Sequence, residues 1–340
     1  MAGKRRTIAM LLAGIWTVGL AAGCDGIGAQ SAAPMRNAGS YTENGKPVVT
    51  VITKAMESNY WNMVQAGAIL EGEALGYTIH IIGPNSEENV QAEMDQIVAA
   101  QEDSAAMVIA PNDPNILVST IADAHSAGIP IVIIDSNLTD ETAYDAFAGT
   151  NNYEAGKALG EFVGTHQSDA VVAVITGAAE SKTHKDRADG IIEGVESNGG
   201  MVLDKLAADS DRSKAIAAAQ SLLDLYPELT AIIATSDDMA LGAYEVVASV
   251  GKADAVRVYG FDASVDGLRS IIRGELTAAA AQYPIQMGRD GVALADRILR
   301  GEAVEKNNET PFAMVSKENA EDFLESLRTD LEEAGMKLDF

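Results

Sequence analysis

Ile129-Pro-Ile-Val-Ile-Ile-Asp135 is a short apolar run closed by a carboxylate, and the pattern returns in Ala231-Ile-Ile-Ala-Thr-Ser-Asp237 and Val256-Arg-Val-Tyr-Gly-Phe-Asp262. Apolar runs of this length, alternating with helical patterns, describe parallel strands covered on both faces. Residues at the carboxyl ends of such strands look into the crevice where small ligands bind. Carboxylates placed there can accept hydrogen bonds from hydroxyl groups. Tyr60 and Trp61 follow the first strand-like run, Val48 to Thr53, and are expected to stand over the same opening. Aromatic faces beside carboxylate acceptors suit a sugar or polyol, whose ring has apolar C–H faces and hydroxyl edges.

Working outward, strands are expected near 48–53, 78–82, 106–110, 130–134 and 145–148, with helices between them. A second series follows near 170–175, 201–206, 230–234, 255–259 and 277–281, separated by helices near 153–166, 185–198, 213–225, 238–250 and 265–273. Gly76 and Gly128 each follow a helical stretch and precede a strand, as a C-terminal helix stop does. Two such series imply an α/β protein with two doubly wound parallel-sheet lobes and a ligand cleft between them. No short-period repeat is visible, which argues against a solenoid. Phe323, Leu324, Leu327, Leu331 and Leu338 fall mostly at helical spacing, so residues 318–340 read as an acidic amphipathic helix packed on a lobe.

The chain has 340 residues, a net charge of −26 and a single cysteine. Nucleic acid would be repelled by that charge. Lys4, Arg5 and Arg6, the apolar Ile8 to Ala22 and the small residues before Cys24 read as a signal peptide over 1–23. Its apolar part is shorter than the roughly 20 residues of a spanning helix. Leu20-Ala-Ala-Gly-Cys24 resembles a bacterial lipobox with Ala21 in the place usual for Leu, which makes Cys24 the expected lipidation site and membrane anchor. The Ser-, Ala-, Gly- and Asn-rich stretch 24–46 suits a flexible tether.

Taken in order, Tyr60-Trp61, the run ending at Asp135, Thr235-Ser-Asp-Asp-Met-Ala-Leu-Gly242, Gly260-Phe-Asp262 and Ala281-Gln282 resemble the periplasmic ribose-binding protein family. These are the type I solute-binding proteins of sugar ABC transporters. The resemblance spans about residues 47–316. It implies two lobes joined by a hinge, 47–150 plus 283–311 and 151–282 plus 312–317. It also implies that Tyr60 and Trp61 sandwich the sugar, that Asp135 and Asp262 accept from ring hydroxyls, and that Gln282 lies at a crossover between lobes. Where ribose binders carry Asn, Arg, Arg, Phe and Asn, this sequence has Ser58, Ser136, Lys185, Ser210 and Ser236. Losing a planar guanidinium while gaining serines shifts the expected ligand from ribose toward a hexose, a polyol such as inositol, or a modified sugar. Asp237 reads as a helix cap beside Ser236 as the ligand contact, and Arg187 as a structural family arginine. Lys185 is either a ligand contact or a helix-start residue, and Asn152 either a ligand donor or a helix cap.

On this resemblance the chain is a monomeric receptor that passes a monosaccharide or polyol to an ABC permease, with no cofactor and no metal. Asp262 is expected to serve the ligand and not the core, so that Asp262→Ala leaves thermal stability nearly intact. Two alternatives share the fold: a sugar sensor for a chemoreceptor or histidine kinase, and a LacI-type regulator, which would need a helix-turn-helix in place of the leader. Catalysis lacks its motifs. There is no P-loop, no G-x-S-x-G elbow and no HExxH, and His80, His125, His166 and His184 are not spaced as metal ligands.

Overall fold

The apolar runs become strands with both faces covered: Ile131 to Ile134 and Ala231 to Ala234 are all fully buried. The computed structural model describes residues 42–56 and 58–336. The first sheet holds β1 (Thr42–Glu43), β2 (Lys46–Ile52), β3 (Thr78–Ile82), β4 (Ala106–Ile109), β5 (Ile131–Ile134) and β6 (Ala146–Thr150). The second holds β7 (Val171–Thr176), β8 (Met201–Ala207), β9 (Ala231–Ala234), β10 (Arg257–Asp262) and β11 (Ala278–Gln282). Two late strands are divided between them: β12 (Asn307–Thr310) pairs parallel with β6, and β13 (Phe312–Ser316) pairs antiparallel with β11. Helices α1 (Asn59–Leu75), α2 (Val90–Ala100) and α3 (Val118–Ser126) flank the first sheet. Helices α4 (Asn152–His166), α5 (Lys182–Ser197), α6 (Arg212–Leu225), α7 (Asp237–Ser249) and α8 (Val265–Arg273) flank the second, and α9 (Pro284–Leu299) returns to the first.

Both sheets wind the same way. In the first, β3 and β4 lie against β2, followed by β5 and β6; in the second, β8 and β9 lie against β7, followed by β10 and β11. The winding therefore reverses beside β2 and beside β7, and the carboxyl ends of the strands there are the natural ligand positions. The chain passes between the sheets at 150–152, 282–284 and 310–312. Asn151 Nδ2 donates to Glu309 Oε1 at 2.9 Å and ties the first passage to the third.

Close helix pairs set the positions of the strand ends. A Cβ at Gly67 of α1 would lie 1.8 Å from the Ile285 carbonyl oxygen of α9, and one at Gly190 of α5 would lie 2.1 Å from that of Tyr153 in α4. Only glycine permits backbones this near, and the contact brings the start of α5, with Arg187, onto Asn152.

The leader and Cys24 lie outside the described residues, as does most of the tether. Its last residues are not tether: β1 folds antiparallel onto β2 through Asn44-Gly45, both at positive φ (52° and 80°), the geometry of a two-residue hairpin turn. The C-terminal helix α10 (Ala320–Glu333) forms, but not on one half alone. Leu327 and Leu331 are buried in an apolar cluster that joins Leu268 and Ile271 of α8 with Met63 and Ala66 of α1. Phe323 meets Tyr283 edge-on at the second passage, with ring centroids 5.4 Å apart. Leu338 lies outside the described residues.

Candidate functional site

Asp135 follows β5 and Asp262 ends β10, and both adopt positive φ (65° and 100°). A non-glycine residue held in that region is strained and marks a functional turn. Asp135 is gripped from its own half. Tyr60 Oη donates to Oδ1 at 3.0 Å, while Lys54 Nζ (2.7 Å) and Ser136 Oγ (2.9 Å) donate to Oδ2. Burial alone would raise this carboxyl, but the Lys54 ammonium overrides it and holds it below the usual range. Lys54 mirrors this: burial lowers it, and the Asp135 charge lifts it above its ordinary value.

Lys54 was not anticipated from the sequence. The resemblance lost a cation at position 136, and one re-enters from the end of β2: Lys54 Nζ also donates to Ser136 Oγ at 2.6 Å. The available signal was a lysine two residues beyond β2, at the carboxyl end of a largely apolar strand.

Asp262 is held from the other half. Its Oδ1 accepts from Arg187 Nη1 at 3.0 Å and from Gln282 Nε2 at 2.7 Å. Among the described residues its Oδ2 accepts no hydrogen bond. Burial raises the Asp262 carboxyl, and Arg187 opposes that shift. The Arg187 guanidinium also donates to the Thr235 carbonyl (3.0 Å) and, through Nε, to Asn152 Oδ1 (2.8 Å), and it lies 3.9 Å over the Phe261 ring. The two halves face each other electrostatically: Tyr60 feels the charges of Asp262 and Arg187, and Asp135 that of Arg187.

Several expectations change. Trp61 is 2% exposed, its indole N–H donates to Glu87 Oε1 at 2.8 Å, and its ring packs with Val64 and Met287. It stands at 87° to Tyr60 rather than parallel, so the pair does not form two stacking plates; the indole is core, because a large ring at the start of an inward-facing helix gains most from burial. Lys185 extends into solvent beside Asp189 (3.6 Å), with its side chain 66% exposed; one helical turn sends it away while Arg187 and His184 turn inward. Asn151, not Asn152, caps α4 through Glu154 N, and Asn152 positions Arg187. Asp237 does not cap its own helix. Its Oδ2 accepts from Ser264 N (2.6 Å) and Oγ (2.9 Å), tying α7 to the turn before α8; burial and the neighbouring Asp262 charge push its carboxyl well above the usual range.

Asp262 is also not free of the core, since removing it would strand a buried guanidinium, so the expected indifference of stability to its loss does not hold. Ser236 precedes α7 with a buried hydroxyl that has no partner among the described residues, and Ser58 precedes α1 without a side-chain capping bond. Among the described residues no three His, Cys, Asp or Glu side chains gather as a metal set.

Two doubly wound sheets, each carrying an acid at the carboxyl end of one of its strands, are the architecture of a two-lobed binding protein. The Periplasmic binding protein domain matches residues 49–303. The chain belongs to this periplasmic binding protein family. The ribose import binding protein of Salmonella typhimurium is 29% identical over 275 residues, covering 80% of this chain and 92% of its own. The D-allose-binding periplasmic protein of Escherichia coli is 26% identical, with coverages of 78% and 89%. A carbohydrate transporter solute binding protein from Agrobacterium radiobacter, solved with D-arabinose, superposes with a TM-score of 0.74 at 26% identity, covering 84% of this chain and 99% of that one. A Bacillus halodurans solute binding protein with bound myo-inositol gives 0.73 at 25% identity, with coverages of 83% and 99%.

Proposed function

We propose that the protein is an extracytoplasmic solute receptor that captures an uncharged monosaccharide or related polyol and hands it to an ABC permease. The observation that carries this reading is charge pairing within each half: Lys54 with Asp135 and Arg187 with Asp262. Acids already neutralised offer directional acceptors without demanding a cation from the ligand. Relatives that bind ribose and allose, and structures holding arabinose and myo-inositol, support the ligand class.

The proposed contacts are Tyr60, Asp135, Ser136, Ser236, Asp262, Gln282 and Asn152, with Ser58 at the rim. Serines at 136 and 236 leave space for a six-carbon ring or a polyol. Isothermal titration of residues 34–340 against D-ribose, D-allose, D-arabinose, D-glucose and myo-inositol is expected to find a hexose or inositol bound at least tenfold tighter than ribose. Tight ribose binding with no hexose or inositol binding would overturn the ligand assignment.

Cys24 is proposed as the lipid anchor. Expressed in full, the wild-type chain is expected in the membrane fraction and Cys24→Ala in the soluble one; equal partitioning would remove the anchor.

A further inference from the structure

His184 opens inward from the first turn of α5, and its ring is clamped: a Cβ at Gly177 would lie 2.2 Å from its Cδ2. Both ring nitrogens are engaged. Nδ1 lies 2.8 Å from Thr235 Oγ1, and Nε2 lies 2.9 Å from Ser210 Oγ. Thr235 is fully buried and already accepts the Gly177 N–H at 3.2 Å. Among the described residues its hydroxyl proton has one acceptor within reach, His184 Nδ1. A neutral imidazole that accepts at Nδ1 must carry its proton on Nε2, and that proton then points to Ser210 Oγ. The ring stays neutral because burial, Arg187 and Lys54 lower its pKa to about 3. With one lone pair of Ser210 thus occupied, its own proton is turned away from the histidine.

Ser210 sits just beyond β8, the edge strand of the second sheet farthest from β13, in a turn where Asp209 and Ser210 both have positive φ (49° and 58°). Thr235 also offers its carbonyl to Arg187 Nη1 at 3.0 Å, the same nitrogen that grips Asp262, so the chain of bonds starts beside that acid and ends at the exposed Ser210.

We propose that Thr235 and His184 form a positioning relay that fixes the Ser210 hydroxyl as a donor at the outer rim of the cleft, selecting ligands that present an acceptor oxygen there. This rests on the sugar-binding reading for its ligand and on the protein alone for its orientation. The orientation is tested first, on ligand-free protein, by two-bond ¹H–¹⁵N correlation of the His184 ring, assigned by its loss in His184→Gln. A neutral Nε2–H tautomer at pH 7 is expected; an Nδ1–H tautomer or an imidazolium overturns the relay.

Selection is then tested with the tightest-binding sugar of the titration panel. Ser210→Ala and His184→Ala are each expected to weaken binding about five- to tenfold, the worth of one neutral hydrogen bond. Because both act through one contact, the double variant should be no weaker than Ser210→Ala alone. His184→Gln, whose amide N–H can replace the Nε2 donor, should recover most of the affinity lost in His184→Ala. Multiplicative losses in the double variant, or unchanged affinity in Ser210→Ala, overturn the selection. Wild-type protein that binds no panel member overturns the sugar-binding reading and the selection with it, while the tautomer still decides the relay.

Discussion

Asp262→Ala is expected to lower sugar affinity at least a hundredfold and the melting temperature together. The affinity falls because Oδ2 is the acceptor left open to the ligand and Oδ1 anchors Gln282 and Arg187. A charge-assisted bond contributes roughly 1.5–3 kcal/mol, so losing the one to Oδ2 together with the Arg187 and Gln282 positions that Oδ1 holds amounts to a hundredfold or more. Stability falls because the Arg187 side chain is only 6% exposed, and breaking a buried pair from one side costs about 3–5 kcal/mol. The two effects separate in the double variant Arg187→Met/Asp262→Leu. Replacing both charges by apolar groups of similar volume is often neutral or stabilising, so calorimetry should show most of the melting temperature recovered while titration shows no binding. Retained affinity in Asp262→Ala would remove this acid from the site.

Glu93→Gln is expected to flatten the dependence of stability on pH. Glu93 is fully buried; its Oε2 accepts from Asn112 N at 3.0 Å and its Oε1 has no partner among the described residues. Burial, opposed by the Asn112 bond and by Lys54, raises the carboxyl from 4.5 to about 8. The folded protein therefore keeps a proton that the unfolded chain gives up. The group's contribution is full below pH 4.5 and is lost as pH rises through 8. At 1.36 kcal/mol per pH unit the ceiling is about 5 kcal/mol. The amide of Gln cannot ionise. The variant should match wild type in urea unfolding near pH 5 and exceed it by several kcal/mol near pH 9; parallel curves at both pH values would show that Glu93 is not protonated in the fold.

The sheets were legible because burial on both faces leaves little but Val, Ile and Ala in their strands, and Gly76 and Gly128 do take the left-handed conformation at 84° and 85°. β12 escaped notice for the opposite reason. Asn307-Asn-Glu-Thr310 is a half-exposed edge strand, and nothing in its composition separates it from a loop. The acids were readable from their places at strand ends, and Gln282 only through the family resemblance. Which face of a helix turns inward was harder: Lys185 and Arg187 sit two residues apart near the start of α5, and only the packing of Gly190 on Tyr153 decides that the guanidinium faces the cleft and the amine faces water. Lys54 and the Thr235–His184–Ser210 chain join segments distant in sequence and leave no local signature.

Two residues of the Asp262 grip stand at the passages between the sheets: Gln282 at the second and Asn152 at the first. Points near a fulcrum travel least when its arms swing. Any rotation of one half against the other therefore shifts Gln282 and Asn152 little, and the Arg187–Asp262–Gln282 grip, which lies within one half, keeps its shape. A grip that keeps its shape through such a swing can hold a ligand before the other half arrives, so the freedom lost at closure is smaller.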